Sequence, residues 1–180
     1  MACDDGHVSK LGGGETVLAC VAYEELRPVG VAASLVHVDG LDATSVLAGL
    51  AGGLAAGGEG VLFLDSLTVA GFNVISLPAV TRLTGLPAVV VYTYRPSLER
   101  LEAPLRQHFP DAELRLRVLS PISGARLVAT RRGDLYVIAW GIGYGEARDL
   151  VELYQVYSRV PEPLRVAHRV ASEMSRALGL

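Results

Sequence analysis

Five aspartates stand where apolar sequence breaks off. Asp4 and Asp5 sit in "MACDDG", Asp39 and Asp42 in "HVDGLDAT", and Asp65 closes "VLFLD". Carboxylates gathered at neighbouring strand ends repel one another and lose hydration, so they stay ionised only when a cation joins them. Ligation by oxygen, without a His or Cys cluster, suits Mg²⁺ or Mn²⁺. Two such ions can align a water and a leaving group for phosphodiester cleavage. Plainer explanations compete. Asp-Gly pairs make turns, which accounts for Asp4, Asp5 and Asp39 taken singly, and Asp42 is a good helix N-cap. Asp65 resists such an account because it lies inside apolar sequence.

Other chemistries find less support. There is no G-x-G-x-x-G, and the single lysine, Lys10, belongs to no phosphate-binding loop. Gly12-Gly13-Gly14 reads as a flexible loop. His7, His37, His108 and His168 show no metal-ligand spacing, and His37 reads as a core histidine. Ser66 lacks the setting of a strained nucleophile turn. Cys20 reads as a small core residue.

The elements that must position the acids follow from periodicity. "ETVLACVAYEE" and "VGVAASLVHV" predict two strands, with the hairpin turn at Arg27-Pro28. "DATSVLAGLAGGLAAG" predicts a helix capped by Asp42. "VLFLD" and "LPAVVVYTY" are short apolar runs, as expected of central strands covered on both faces. "LPAVTRLTG" predicts a short helix closed by Gly85. "SLERLEAPLRQHF" predicts an amphipathic helix interrupted at Pro104. "ELRLRVLS", "ARLVATRR" and "DLYVIAWG" suggest exposed or peripheral strands. Two helices, "GEARDLVELYQVYSR" and "EPLRVAHRVASEMSRAL", end the chain on either side of Pro161-Glu162-Pro163. The sum is a mixed α/β sheet with helices on both faces, in one domain spanning 1–180. Chemistry in such sheets collects beyond the carboxyl ends of neighbouring strands.

Composition sets bounds. The chain has 180 residues and is 51% hydrophobic, enough for a sizeable core. No apolar run is long enough for a membrane span. The absence of a basic leader predicts a cytoplasmic protein, where Cys3 and Cys20 are expected as free thiols. The net charge of −3 argues against a general coat for nucleic acid. Its distribution is uneven: nine acids face Lys10 and Arg27 up to Ile75, and fourteen arginines face ten acids from Ser76 onward. Such halves suit cations on one side and phosphates on the other, although solvated faces explain them as well.

Five segments, "DDG", "VDGLDAT", "LDSLTVAGFNV", "GLPAVVV" and "PEPLRVAHRVAS", occur in an order that resembles the archaeal endonuclease dU family, which is related to endonuclease V. The resemblance covers nearly the whole chain, and "AGFNV" and "PEPLRVAH" are its specific parts. It implies a ribonuclease H-like fold and a metal-dependent endonuclease acting on DNA with deaminated bases, chiefly deoxyuridine. RNA is a further possible substrate, and a non-catalytic nucleic-acid or nucleotide-binding module of the same fold is the alternative. By the same resemblance, Asp5 or its neighbour Asp4 matches the first-strand carboxylate, Asp39 or Asp42 stands near the second acidic position, and Asp65 matches the acid ending the fourth strand. Only three residues precede Asp4, so the strand carrying it is expected to be short.

The remaining candidates concern substrate. Phe72 in the "GFN" turn is placed to stack on an unstacked base, with Asn73 on its polar edge. Equally, Phe72 reads as core and Asn73 as a cap of the next helix. Arg95, Arg165 and His168 are candidate phosphate contacts. Arg165 and His168 read alternatively as parts of an ordered helix start. Glu146 is a candidate fourth acid.

Overall fold

The computed structural model describes residues 1–8, 12–55 and 57–180; Lys10, and Ala56 of the predicted Asp42–Gly57 helix, lie outside the described residues. The chain opens with β1 (Ala2–Asp5), β2 (Glu15–Glu24) and β3 (Arg27–His37), followed by α1 (Ala43–Ala55). Next come β4 (Leu62–Leu64), the two-residue strands β5 (Thr68–Val69) and β6 (Asn73–Val74), α2 (Leu77–Thr84) and β7 (Ala88–Tyr92). Then follow α3 (Leu98–His108), α4 (Ala112–Leu119), a 3₁₀ turn (Ser120–Gly124), β8 (Arg126–Val128), β9 (Leu135–Trp140), α5 (Tyr144–Tyr154) and α6 (Glu162–Leu178).

Seven strands form one mixed sheet in the order β3-β2-β1-β4-β7-β9-β8, and β5 and β6 form a small separate hairpin. The β1–β4 and β4–β7 pairs are parallel and the others antiparallel. Alternate residues of the central strands feed two cores, as a pleat with period two requires. Cys3, Leu18, Leu62, Leu64, Ala88 and Val90 face α1 to α4. Ala2, Val21, Phe63, Val89, Val91 and Val137 face α5 and α6. The mixed sheet with helices on both faces is the expected architecture. β1 is short as expected, yet it lies inside the sheet, flanked by β2 and β4.

Several local expectations need correction. "ELRLRVLS" forms α4, not a strand. Its period-two alternation of Leu and Arg mimics a strand, but Leu, Arg and Glu are strong helix formers, and Ala112, Arg115 and Leu119 make one buried stripe at helical spacing. β9 is not peripheral: it runs between β7 and β8, and its uniformly apolar sequence serves two covered faces. The first hairpin turns at Glu25-Leu26; Arg27 and Pro28 already pair with Glu24 and Tyr23. Pro28 is tolerated there because β3 is an edge strand. α3 runs straight through Pro104. Cys3 and Cys20, expected as free thiols, stand directly opposite on β1 and β2 and are joined in a disulfide.

Candidate active site

β1 and β4 are parallel neighbours, and Cys3 pairs with Leu64. One step on, both strands run into acid: Asp4 and Asp65. Alternation turns both toward the α6 face. Asp4 is almost wholly buried, at 4% exposed. Its Oδ1 accepts the Asp5 backbone N–H at 2.8 Å, and its Oδ2 lies 3.0 Å from Nδ1 of His168 on α6. Asp5 points to the opposite face, where its Oδ2 accepts the Ala70 N–H at 2.6 Å. "VLFLD" thus ends on a charge because the sheet ends there, beside two further carboxylates.

Electrostatics mark these three residues. Burial first, and then the charges of Asp65 and Asp5, push the Asp4 carboxyl up to about 9. Asp5 is also raised, by burial, despite its hydrogen bond from Ala70. Asp65 has surface open to solvent, but the protein packed around it and the neighbouring Asp5 raise its carboxyl above the usual range. Asp4, Asp65, Ser66, Tyr92, Arg165 and His168 line a cavity of about 380 Å³. Arg165 also pairs with Glu162 at 2.7 Å, so the ordered helix start and the place in the cavity wall are both real.

The structure separates Asp39 and Asp42 from this cavity. Asp39 sits in a left-handed conformation (φ 60°), with Oδ2 accepting Gly12 N–H at 2.7 Å and Oδ1 accepting Phe72 N–H at 2.8 Å. The Ala70 peptide links it to Asp5: Ala70 donates to Asp5, and Ala70 O accepts the Asp39 N–H. Asp42 binds Nδ1 of His37 at 2.7 Å and accepts from Asn73 Nδ2 at 2.6 Å. Burial opposes ionisation of Asp42, but these hydrogen bonds outweigh it and leave the carboxyl below its ordinary value. His37, expected in the core, is exposed on β3.

The cap of α1 comes from far along the chain. Asn73 Oδ1 accepts the Ala43 N–H at 3.0 Å, while Asp42 turns its side chain aside. Asn73 is fully buried and also donates to His37 O, so no edge is left for a base. The next helix, α2, is capped by Ser76. Phe72 packs tilted against Phe109, with ring centroids 5.5 Å apart, and lines a recess of about 310 Å³ with Asp39 and His108. Arg95 stands exposed after β7, beside a different cavity. Glu146 is exposed in the first turn of α5 and does not line the acidic cavity.

Arg115 escaped the sequence reading. It is 4% exposed, and its guanidinium donates to Asp39 O, Gly40 O and Phe72 O at 2.6–2.9 Å while pairing with Asp111 at 3.0 Å. One buried cation thus ties together the two turns that carry Asp39 and Phe72. The only signal was an Asp-x-x-x-Arg spacing, hidden by the strand-like alternation of α4. Gly6, the glycine of "DDG", is also fixed by packing: a Cβ there would meet Ala171 O of α6 at 2.7 Å.

The donor set fits an oxygen-preferring divalent ion in kind: hard carboxylate oxygens with no thiolate. Its uncompensated charge, seen in the raised Asp4, is what such an ion would relieve. Among the described residues, no three His, Cys, Asp or Glu side chains stand close enough to form a ligand set as they are.

Residues 1–175 match the family model for endonuclease dU. A UPF0215 protein of Aeropyrum pernix is 54% identical over 99% of this chain and 98% of its own length. A UPF0215 protein of Pyrococcus horikoshii is 36% identical over 80% of this chain and 74% of its own length. Among solved structures, an Archaeoglobus fulgidus protein of unknown function superposes with a TM-score of 0.80 at 26% identity, covering 96% of this chain and 95% of that one. Ciona intestinalis endonuclease V, solved with a DNA containing inosine, gives 0.60 at 14% identity over 98% of this chain and 85% of that one. No helix among the described residues is long and apolar enough to cross a membrane. From the match along nearly its whole length, the chain belongs to the archaeal endonuclease dU family, and its ribonuclease H-like fold is similar to that of endonuclease V.

Proposed function

We propose that this protein is a divalent-metal-dependent endonuclease that cuts DNA carrying a deaminated base, deoxyuridine above all. The observation that carries the reading is the pair Asp4 and Asp65, side by side at parallel strand ends, with Asp5 adjacent and His168 and Arg165 in the same cavity. Asp4 and Asp65 would hold Mg²⁺ or Mn²⁺, and Asp5 would join them if it released Ala70. A bound divalent ion lowers the pKa of a coordinated water and offsets charge on the phosphate. Arg165 holds the phosphate at the cavity wall. His168, hydrogen-bonded to Asp4 through Nδ1, keeps Nε2 free to give a proton to the departing oxygen. The Phe72–Phe109 recess is large enough for an extruded base, which Phe72 would hold by stacking. Asp39 positions this recess through its bonds to Gly12 and Phe72.

The test is cleavage of a labelled duplex with a single deoxyuridine, in Mg²⁺ or Mn²⁺, beside undamaged, inosine-containing and RNA controls. Cutting restricted to the damaged strand and absent in Asp65→Asn supports the reading. A second reading, a binding module without cleavage, draws on the lack of a closed ligand set among the described residues. Tight binding of the deoxyuridine duplex by wild type with no cleavage in either ion would favour it.

A further inference from the structure

Beyond the acidic cavity, across a wall shared through Ser66, Tyr92 and Tyr94, lies a second hollow of about 200 Å³. It opens past Arg95 and Arg100 into a wider depression of about 520 Å³ at the N-terminus of α3. We propose that this hollow is a binding site for a non-scissile phosphate of the nucleic-acid backbone; the inference deepens, and rests on, the nuclease reading of the adjoining cavity.

Three independent features converge here. The first is Tyr92, 4% exposed in the common wall. Its hydroxyl lies close to the Leu67 N–H and the Ser66 hydroxyl yet meets neither in a well-formed hydrogen bond. A buried hydroxyl without a partner is costly, and such groups call for an explanation in function or a bound species. Burial also raises the phenol pKa, so the group stays a donor, which suits an anionic oxygen. The second is Arg95 and Arg100, both exposed and neither in an ion pair among the described residues. Most other arginines near α3 and α4 are engaged: Arg106 with Glu102 and Glu113, Arg115 with Asp111. The third is α3 itself. Ser97 Oγ accepts the Arg100 N–H, while the first-turn N–H groups of Leu98 and Glu99 have no helical partner. Glu99 at the outer rim is the one opposing charge. Ser66 and Thr68, bonded to each other at 3.1 Å, line the floor and add hydroxyls.

The chemistry required is that of a tetrahedral oxyanion: two guanidinium groups, helix N–H donors and a phenol, next to the carboxylates. A strand with one phosphate at Asp4 and Asp65 would lay another here.

Binding is measured by anisotropy of a fluorescein-labelled deoxyuridine oligonucleotide in EDTA, so that cleavage plays no part. Arg100→Ala should weaken binding on the order of tenfold at low salt and reduce the salt slope by about one. Scanning the strand with single methylphosphonates should reveal one position whose neutralisation weakens wild type but not Arg100→Ala. Tyr92→Phe should lose affinity severalfold, although removing an unpartnered hydroxyl raises its Tm. In parallel, inorganic phosphate should raise the Tm of wild type and not of Arg100→Ala. Unchanged binding and an unchanged phosphate response in folded Arg100→Ala would overturn the site, whether or not the protein cuts DNA. A phosphate response dependent on Arg100 in a protein that cuts nothing would keep the site and sink the nuclease reading instead.

Discussion

Asp4 and His168 are 164 residues apart in the chain and 3.0 Å apart across the end of the sheet. The contact joins the strand that opens the fold to the helix that closes it. Its partners differ in setting: the Asp4 side chain is buried, whereas that of His168 is 62% exposed.

Asp4 makes stability pH-dependent in a direction opposite to most aspartates. Its folded carboxyl is raised from an ordinary value of 3.8 to about 9, so the folded state binds more protons than the unfolded one across that window. The contribution of Asp4 to stability is then fully present below about 4 and is lost as pH rises toward 9. In EDTA, the Tm of wild type should fall from pH 5 to pH 8 by more than that of Asp4→Asn. Asp4→Asn should melt a few degrees higher at neutral pH. A steeper decline in the mutant would show that Asp4 is compensated in some other way.

Divalent ions should reverse that loss. Millimolar Mn²⁺ should raise the wild-type Tm at pH 7.5, because an ion binding only the folded state stabilises it. Asp65→Asn should remove most of this response and lower cleavage on the order of a thousandfold, with its circular dichroism unchanged. Full activity in Asp65→Asn, purified free of host nucleases, would refute the proposed mechanism.

Arg115 is the brace behind the Phe72–Phe109 recess. Arg115→Ala leaves Asp111 without its partner and uncovers three carbonyls, of Asp39, Gly40 and Phe72. A loss of about 3–5 kcal/mol is expected, from urea unfolding. Arg115→Lys should restore only part, since an ammonium lacks the fork that spans two turns. A variant as stable as wild type would mean that water satisfies these carbonyls equally well.

The Cys3–Cys20 disulfide closes the β1–β2 hairpin across a separation of 17 residues. Reduction, or Cys20→Ser, should cost about 3 kcal/mol through the freer unfolded chain. Thermal melts with and without reductant measure this. The rule behind the free-thiol expectation concerns the compartment, whereas the cross-strand register of β1 and β2, which sets Cys3 opposite Cys20, decides the bond. Alkylation of both cysteines in the native, unreduced protein would contradict the bond.

Periodicity by itself determined the layered α/β architecture, most of the helices and central strands, and the acids at strand ends. These are local properties: a pleat repeats every two residues, a helix every 3.6, and a turn follows from a few side chains. The resemblance carried by "VDGLDAT", "AGFNV" and "PEPLRVAH" supplied the family. Where local signals conflicted, as in the alternating Leu and Arg of α4, the tertiary structure decided. It chose the helix because a stripe of Ala112, Arg115 and Leu119 could then be buried. Only the fold could sort the five aspartates. Strand parity and the parallel register of β1 with β4 send Asp4 and Asp65 to one face and Asp5 to the other. Left-handed backbone at Asp39 and Ala70 turns Asp39 toward Gly12 and Phe72 instead. Asn73 became a cap for a helix 30 residues earlier, and Arg115 a clamp on turns more than 40 residues away. Such roles depend on the distance between chain segments after folding, which the spacing of residues along a sequence does not encode.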